Sequence, residues 1–417
     1  MNFNVLLVLL LMLSANYFFD CTLLGEDLTQ IYKLVLYVVF IIVALLTYIK
    51  SISAKNKAII LRLKGHKVID KCIVILLVGL LISLFNSFLF KDQSLIVCLI
   101  TNIPMTIAYL SYFVFKKMKL TNVDERNIII FMALVYCVVF IVSAVTIPKP
   151  LFGEFEFSEE RGGFRLWIKG IFWVSLCFFF LIQKYKERGR YSFLFGALLV
   201  SLFVAASLAR QYILWTTVLG LMFLMLNTKW QKKLLVMLFV VLVGFFVVPE
   251  IPLVKSLTEL SEKQMEKNNY DHEDIRIKDY QTFLFDYDRN MVQYVFGCGL
   301  PSQGNSRYGA ESEYMSGTLG IIPSDVGWAG AVFYYGYFST FILLFLFLYC
   351  IFKIKGEYYK RFYLFYIALC AIGGGPILYF HEVIITMFVL ANISKRDFDP
   401  KKVIIQKRLK RTFIKSY

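Results

Sequence analysis

Arg210 is the residue of this 417-residue chain whose position most clearly suggests chemistry. It is the only charged residue of Tyr191–Thr228, an apolar stretch without proline that is about twice the length of one membrane-spanning helix. Because basic residues flank both ends, we interpret the stretch as a helical hairpin with Arg210 at its outer tip. A guanidinium near membrane depth usually faces a partner or a cavity, and its planar fork suits a diphosphate. The alternative is an arginine that reaches up to lipid headgroups.

Four further arginines lie in two polar segments. Arg276 and Arg289 stand 13 residues apart in the longer segment, where they could add positive charge for an anionic ligand. Arg161 and Arg165 belong to the shorter one, Pro148–Arg165, which also holds four glutamates that can neutralise them. The alternative for all four is an ordinary solvated arginine.

Two acidic positions could take part in proton transfer. Asp325 stands at the start of an apolar run, in Ser324-Asp325-Val326-Gly327, where it is either the N-cap of a helix or a general base at the interface. His381-Glu382 follows Gly373-Gly374-Gly375-Pro376 inside the last apolar run, and an ionisable pair within a span is a candidate site by default. A structural hydrogen-bonded pair inside the helix bundle is the alternative there.

Other chemistries lack their sequence motifs. There is no GxxxxGK[ST] phosphate loop, no GxSxG nucleophile elbow and no CxxC pair, and the second histidine of a zinc-protease motif is missing after His381-Glu382. We therefore expect neither a metal nor a bound cofactor.

Long apolar segments must position these residues. Hydrophobic residues make up 59% of the chain, charged residues 18%, and mean hydropathy is +0.65, which excludes an ordinary soluble enzyme, a disordered chain and a single-pass anchor. The apolar runs are continuous rather than alternating, which excludes a β-barrel. The predicted fold class is an all-α polytopic membrane protein with about 12 transmembrane helices. The runs cover about 3–19, 30–49, 72–90, 94–115, 127–147, 166–183, 191–209, 211–228, 234–249, 327–352, 362–375 and 376–393.

Charge alternates from one connection to the next. The even-numbered connections and the C-terminal tail hold 31 of the 45 Lys and Arg residues, whereas the odd-numbered connections hold 21 of the 29 acidic residues. Because Lys and Arg beside spans stay in the cytoplasm, both termini are predicted to be inside. The net charge of +16 is therefore a signal of topology and not of nucleic-acid binding. The basic tail could also touch anionic membrane lipid.

This pattern predicts four domains. Residues 1–249 form helices one to nine, 250–325 a large extracytoplasmic loop, 326–393 helices ten to twelve, and 394–417 a basic cytoplasmic tail. The loop, with 13 acidic and seven basic residues, looks like the one water-soluble module. Any chemistry is therefore expected at the outer membrane–water interface, where no ATP is present.

The order of these parts resembles the bacterial O-antigen polymerase family, relatives of the O-antigen ligases. The local likeness is the series Arg276 … Phe296-Gly297-Cys298-Gly299 … Ser324-Asp325-Val326-Gly327 … Tyr335-Gly336, and Ser207-Leu208-Ala209-Arg210 is similar to the family's Ser and Arg near a span end. It covers the whole chain in topology and about 60 residues in motif. Where ligases carry a histidine at the mouth of the following span, this chain has Asp325, which favours a polymerase.

The resemblance implies a glycosyltransferase of the bacterial inner membrane with its active site facing the periplasm. It would polymerise oligosaccharide repeat units linked to undecaprenyl diphosphate, for lipopolysaccharide or capsule. In that reaction Arg210, with Arg276 or Arg289, stabilises the leaving lipid diphosphate, and Asp325 is the base. A flippase and a chain-length regulator are the protein partners that the resemblance implies.

Two other functions stay open. One is a non-enzymatic flippase or secondary transporter, which His381-Glu382 after a Gly-Gly-Gly-Pro break supports, because transporters place polar residues in broken helices. The other is an O-antigen ligase with the same chemistry and a different acceptor. The concentration of polar residues in one outer loop favours an interfacial enzyme over a transporter.

Reporter fusions test the predicted sidedness. A reporter that is active only in the periplasm should be active when fused after Lys267 and inactive when fused at the C-terminus, because the charge pattern places these positions on opposite sides. The reverse result at either position would contradict the topology.

Overall fold

The computed structural model of the protein describes residues 3–21, 67–118, 120–158, 163–207, 209–226, 275–302, 306–354 and 357–395, with the single positions 38, 41 and 42. The predicted run at 234–249, most of the run at 30–49, the first part of the large loop and the tail beyond residue 395 lie outside the described residues.

Four of the described helices are long and apolar enough to cross a membrane, which confirms the predicted helical fold with apolar segments of membrane-spanning length. They are α2 (Lys67–Phe90), α3 (Leu95–Lys117), α4 (Asn122–Val145) and α11 (Gly327–Phe352). The other described helices are α1 (Phe3–Ala15), α5 (Ile171–Arg188), α6 (Tyr191–Ala206), α7 (Arg210–Met225), α8 (Ile275–Gln281), α9 (Met291–Phe296), α10 (Arg307–Gly317), α12 (Tyr358–Cys370) and α13 (Phe380–Ser394).

Local sequence signals set several of the helix ends. The Thr121 hydroxyl accepts a hydrogen bond from the Asp124 amide, and the Asp124 carboxylate accepts one from the Thr121 amide, so α4 begins with a capping box. Gly189 ends α5 in the left-handed conformation, at φ 67°. The predicted hairpin in Tyr191–Thr228 is confirmed, since α6 ends at Ala206 and α7 begins at Arg210.

Two helices form the centre of the bundle. All 15 residues of α13 are buried, and so are the ten residues from Ile171 to Phe180 in the first part of α5. A helix that is buried on every side must be surrounded by other segments of the protein. The Phe388 ring of α13 packs against Trp173 of α5 and Phe115 of α3, at centroid distances of 5.8 and 5.5 Å.

The outer helices turn apolar side chains away from this core. Exposed residues such as Phe85 on α2, Leu134 on α4 and Phe341 on α11 stand on their outward sides. Large exposed apolar surface of this kind suits a hydrocarbon environment and not water.

One end of the bundle collects the odd-numbered connections, and we call it the loop-rich face. Among the described residues it carries 16–21, 91–94, 146–158, 163–170, 207, 209, 275–302, 306–326 and 371–379. Here Lys169 binds the Asp20 carboxylate at 2.7 Å, and the Gln93 side chain accepts a hydrogen bond from the Ser302 amide at 3.0 Å.

The other end, which we call the basic face, collects even-numbered connections. Lys116 binds Asp70 at 2.5 Å, and the Tyr359 amide donates to the Gln183 side chain at 3.0 Å. These contacts sort the described connections into the same two groups as the charge count.

One element departs from the all-α prediction. Residues Glu154–Ser158 (β1) and Gly163–Trp167 (β2) form an antiparallel hairpin on the loop-rich face. Alternating residues in Glu154-Phe155-Glu156-Phe157 have the two-residue period of a strand, which a search for apolar runs does not detect.

A buried ion pair on the basic face offers a stability test. Lys360, 1% exposed, binds Glu125 at 2.5 Å. Lys360→Met should destabilise the protein by about 3–5 kcal/mol, because the buried Glu125 carboxylate loses its positively charged partner and keeps a neutral one, the Tyr359 hydroxyl. The double variant Lys360→Met/Glu125→Gln should recover most of the loss in thermal unfolding in detergent. A double variant as unstable as the single one would contradict the ion-pair explanation.

Candidate functional site

The glycine-rich turn between α12 and α13 organises the candidate site. Its carbonyls cap α11: the Gly327 amide donates to Gly374 at 3.1 Å, and the Trp328 amide donates to Ala371 at 3.0 Å. The first amides of a helix have no partner within the helix, so this pairing joins two helix ends at the loop-rich face.

Arg276 and the start of α7 meet on this turn. The Gln211 side chain lies so close to the turn that a Cβ added at Gly374 would come within 2.2 Å of its Nε2 atom. A Cβ at Gly373 would stand 2.8 Å from the Gln211 Oε1 atom and 3.7 Å from the Arg276 Nη1 atom. Arg210 directly precedes Gln211 and is exposed, so its backbone lies one residue from this contact.

Tyr280 of α8 fixes Arg276 beside the turn. Its hydroxyl donates a hydrogen bond to the Ile372 carbonyl at 2.6 Å. Burial raises the pKa of the Tyr280 phenol, and the nearby positive charge of Arg276 opposes that rise. Neither Tyr280 nor Gln211 was among the candidates from sequence, because an isolated Tyr or Gln in a polar segment carries no distinguishing pattern.

Asp325 ends a short 3-10 turn, Pro323–Asp325, and its side chain is exposed at the same surface. The N-cap position of α11 belongs to Val326, which makes no side-chain capping hydrogen bond. The structure therefore does not place Asp325 at the N-cap of α11, and the carbonyls of the 371–374 turn cap that helix instead.

Tyr379 connects Asp325 to the rest of the site. Its side chain shares a hydrogen bond with Ser324, and the charges of Asp325, Glu382 and Arg165 all lie close enough to act on it. The 323–325 turn therefore contacts this phenol, and charges on β2 and α13 also act on it. Its position, two residues before His381 and just after a Gly-Gly-Gly-Pro break, is a signal that sequence reasoning missed.

His381 and Glu382 lie below the surface, at the start of α13. The His381 ring stacks on Tyr379 at a centroid distance of 5.9 Å, and its Nε2 atom is 3.6 Å from the Glu382 Oε1 atom. Both residues are buried. In the described part of the chain, the Glu382 Oε2 atom has no hydrogen-bond partner.

The two arginines of the shorter segment differ. Arg161 lies outside the described residues. Arg165 pairs in register with Glu156 across the hairpin and stacks on the Trp167 ring, 3.5 Å from its centroid. It thus has a nearby acid, as expected, and also reaches the Tyr379 surface.

Arg289 belongs to a different cluster. It is buried, donates to the Phe283 carbonyl at 2.7 Å and lies 4.3 Å from the centroid of the Tyr294 ring. Its neighbour Cys298 is also buried, which raises the pKa of the Cys298 thiol to about 11, although the positive charges of Lys91 and Arg289 oppose the rise. Of the two loop arginines, Arg276 is the one on the candidate surface.

The Phe296-Gly297-Cys298-Gly299 motif has a structural explanation. Helix α11 is broken at Gly336, where φ is 78° and ψ is 167°, and the motif docks into the break. The Cys298 amide donates to Phe333, and the Gly299 amide donates to Tyr334, both at 2.9 Å. The motif therefore pairs the carbonyls that the broken helix leaves without helical partners.

No family model matches the chain, and no curated protein matches it. Among the described residues, no three His, Cys, Asp or Glu side chains are grouped so that they could hold a metal ion.

The glycines of the break should tolerate no side chain. At Gly336, φ is 78° and a Cβ would stand 2.3 Å from the Val295 carbonyl oxygen, so Gly336→Ala should cost about 3 kcal/mol or more. Gly189→Ala is the matched control, because φ there is 67° but no atom lies within 4 Å. It should cost only the ~1–2 kcal/mol of a left-handed alanine. Thermal unfolding in detergent measures both, and equal losses would show that the docking contact contributes little.

Proposed function

We propose that the chain is a membrane glycosyltransferase that polymerises oligosaccharide repeat units linked to a polyprenyl diphosphate. The observation that supports this function best is the position of Arg276 beside the glycine-rich turn and of Asp325 near Tyr379 of the same turn, with α7 beginning at Arg210 next to Gln211. A substrate with a lipid tail, an anionic linker and a glycan matches this location, where an apolar helix bundle meets a charged surface and polar loops.

The reaction divides its work between these residues. A hydroxyl oxygen of the incoming repeat unit attacks the anomeric carbon of the growing glycan, and the bond from that carbon to the lipid diphosphate breaks. Asp325 accepts the hydroxyl proton, as a general base. Arg210 and Arg276 stabilise the negative charge that develops on the departing diphosphate. No nucleotide is consumed, since the bond to the diphosphate already stores the energy.

The glycines at this surface let the start of α7 pack closely on the turn. Glycines at 373 and 374 leave the room that the Gln211 side chain occupies, and any Cβ there would displace it. Tyr379 follows the glycines of that turn, and the positive charge of Arg165 on β2 acts on its phenol, so the polar surface extends towards β2. We assign the sugar-binding part of the site to this extension.

The location of the reaction follows from the same proposal. The loop-rich face carries the connections that the charge pattern assigns to the periplasm, so the protein is a multi-pass protein of a bacterial inner membrane with its site facing outwards. Its acceptor and donor are then both lipid-linked and both delivered by a separate flippase.

One observation favours a transporter as the second candidate. The Glu382 carboxylate is buried at the start of α13, next to His381 and after a break in the helices. Ionisable pairs in such positions bind coupling ions or protons in secondary transporters. An O-antigen ligase is the third candidate and uses the same site with a different acceptor.

Loss of activity in single variants tests the polymerase. Asp325→Asn should lower the extension rate on purified lipid-linked repeat units by roughly 10²–10⁴-fold, because the amide cannot accept the proton. Arg210→Ala should lower it by roughly 10²–10³-fold, and Arg210→Lys should restore only part, since an ammonium cannot bind two oxygens side by side. Glu313→Gln, on the exposed surface of α10, is the matched control and should extend at the normal rate.

The outcome also separates the candidate functions. Normal extension by both the Asp325→Asn and the Arg210→Ala proteins would contradict the assigned roles. A strain without this protein should display surface glycan of one repeat unit if it is the polymerase, and none if it is the flippase. Ordinary chain lengths on the lipid carrier, with none attached to the final acceptor, would identify a ligase.

A further inference from the structure

Helix α2 gives a depth scale for the loop-rich face. The 20-residue step from Lys71 to Lys91 spans about 30 Å of helix, which is the thickness of the hydrocarbon region. The residues between the two lysines are predominantly apolar, and Phe88, Leu89 and Phe90 are exposed. Lys91 therefore marks the boundary of the hydrocarbon on the loop-rich face.

The chain descends below this boundary after Tyr287. The Tyr287 hydroxyl accepts a hydrogen bond from Lys91 and donates one to Glu311 at 2.6 Å, so it lies at the level of the boundary. The Gly297 carbonyl accepts a hydrogen bond from the Asn86 side chain at 2.9 Å. Asn86 precedes Lys91 by five residues, which puts it about 7 Å deeper along α2. The six residues of α9, which lie between Tyr287 and Gly297, cover about 9 Å and account for this descent.

The chain returns to the boundary within a few residues. A Cβ added at Gly299 would stand 2.7 Å from the Ser83 carbonyl oxygen and 2.8 Å from Ser87, so Gly299 is still at depth. The Leu300 carbonyl then accepts from the Gln93 side chain at 3.1 Å, and the Ser302 amide donates to the same side chain. Gln93 follows Lys91 and lies at the boundary again.

The backbone at the deepest point is paired, which membrane depth requires. The Gly297 amide donates to Gln293 at 2.7 Å, and the Cys298 and Gly299 amides donate into the break of α11. The Gly299 carbonyl accepts from the Tyr308 hydroxyl at 2.9 Å. An irregular turn with these partners can lie in hydrocarbon without the cost of unpaired peptide groups.

The outward side of α9 is apolar. Met291, Val292 and Val295 are 78%, 44% and 36% exposed, and the 16 residues from Met291 to Ser306 contain no charged side chain. The Phe296 ring packs on Phe338 of α11 at a centroid distance of 5.9 Å. Phe338 and, one turn further, Phe341 are exposed on the same helix, so the apolar side of α9 continues the lipid-facing surface of α11.

We propose that residues 287–302 form a re-entrant hairpin in the leaflet on the loop-rich face, and that Met291, Val292 and Val295 contact lipid acyl chains. The segment is then part of the membrane-embedded bundle and not of a water-soluble loop. This assignment does not depend on the reaction that the protein catalyses.

Cysteine labelling in liposomes tests the hairpin. The parent is Cys21→Ser, because Cys21 is half-buried while the other seven cysteines are buried. Met291→Cys and Val295→Cys in this parent should react with a membrane-impermeant maleimide at least roughly tenfold more slowly than Glu313→Cys, since a thiol in hydrocarbon has a raised pKa and little thiolate. Leu134→Cys, on the lipid-facing side of α4, is the control for a residue within the membrane.

Spin labels on the same cysteines identify what covers them. Lipid contact predicts frequent collisions with oxygen and few with a water-soluble nickel complex, as for Leu134→Cys. Collisions with nickel and labelling as fast as at Glu313→Cys would overturn the proposal in favour of a solvated loop. Protection from both agents, with dipolar broadening between labels, would overturn it in favour of contact with a second copy of the chain.

Discussion

Peptide groups within a membrane must find partners in the protein, and the positions where helices break show how this chain meets that requirement. At Gly336 the carbonyls of Phe333 and Tyr334 accept from the amides of Cys298 and Gly299, so one irregular segment repairs the interruption of another. At the 371–374 turn, the carbonyls of Ala371 and Gly374 accept from the first amides of α11. Both repairs require a very close approach of two backbones, which explains why glycine stands at each of them.

The same breaks explain where polar side chains collect. A broken helix leaves backbone amides and carbonyls without helical partners. The segments that form hydrogen bonds with them also place their side chains nearby. The 371–379 turn thereby brings Arg276 and Gln211 beside its glycines and Asp325 near its Tyr379, from elements far apart in sequence. The break at Gly336 instead receives an apolar helix and its turn, and the arginine there, Arg289, is buried against carbonyls and an aromatic ring. The 371–379 turn thus forms a polar surface, whereas the break at Gly336 is a packed contact between two backbone segments.

The sequence predicted the structural features that depend on composition over long stretches. It missed features that depend on contacts between residues distant in sequence. Membrane helices, the hairpin around Arg210 and the grouping of the connections follow from apolar length and charge, which act locally on each segment. The break within α11 depends on a distant partner that no local pattern reveals, whereas the β-hairpin and Tyr379 had local signals that a search for apolar runs does not detect. Residues 287–302 illustrate the difference. Their Gly, Ser, Gln and Asn residues by themselves indicate a solvated loop. In the structure, however, Gly297 and Ser302 form hydrogen bonds with the side chains of Asn86 and Gln93.

Two buried carboxylates show how differently the chain treats charge at its two ends. At the basic face Glu125 meets the Lys360 ammonium at 2.5 Å and also accepts from the Tyr359 hydroxyl at 2.8 Å, so its burial is compensated. Near the loop-rich face Glu382 has His381 at 3.6 Å, a contact too long for a hydrogen bond, and an enclosed oxygen without a partner in the described part of the chain. A carboxylate in that position is costly for stability and gains nothing from packing. Its position in the first turn of α13 lets the helix dipole offset part of that cost, and its negative charge acts on Tyr379 at the candidate surface.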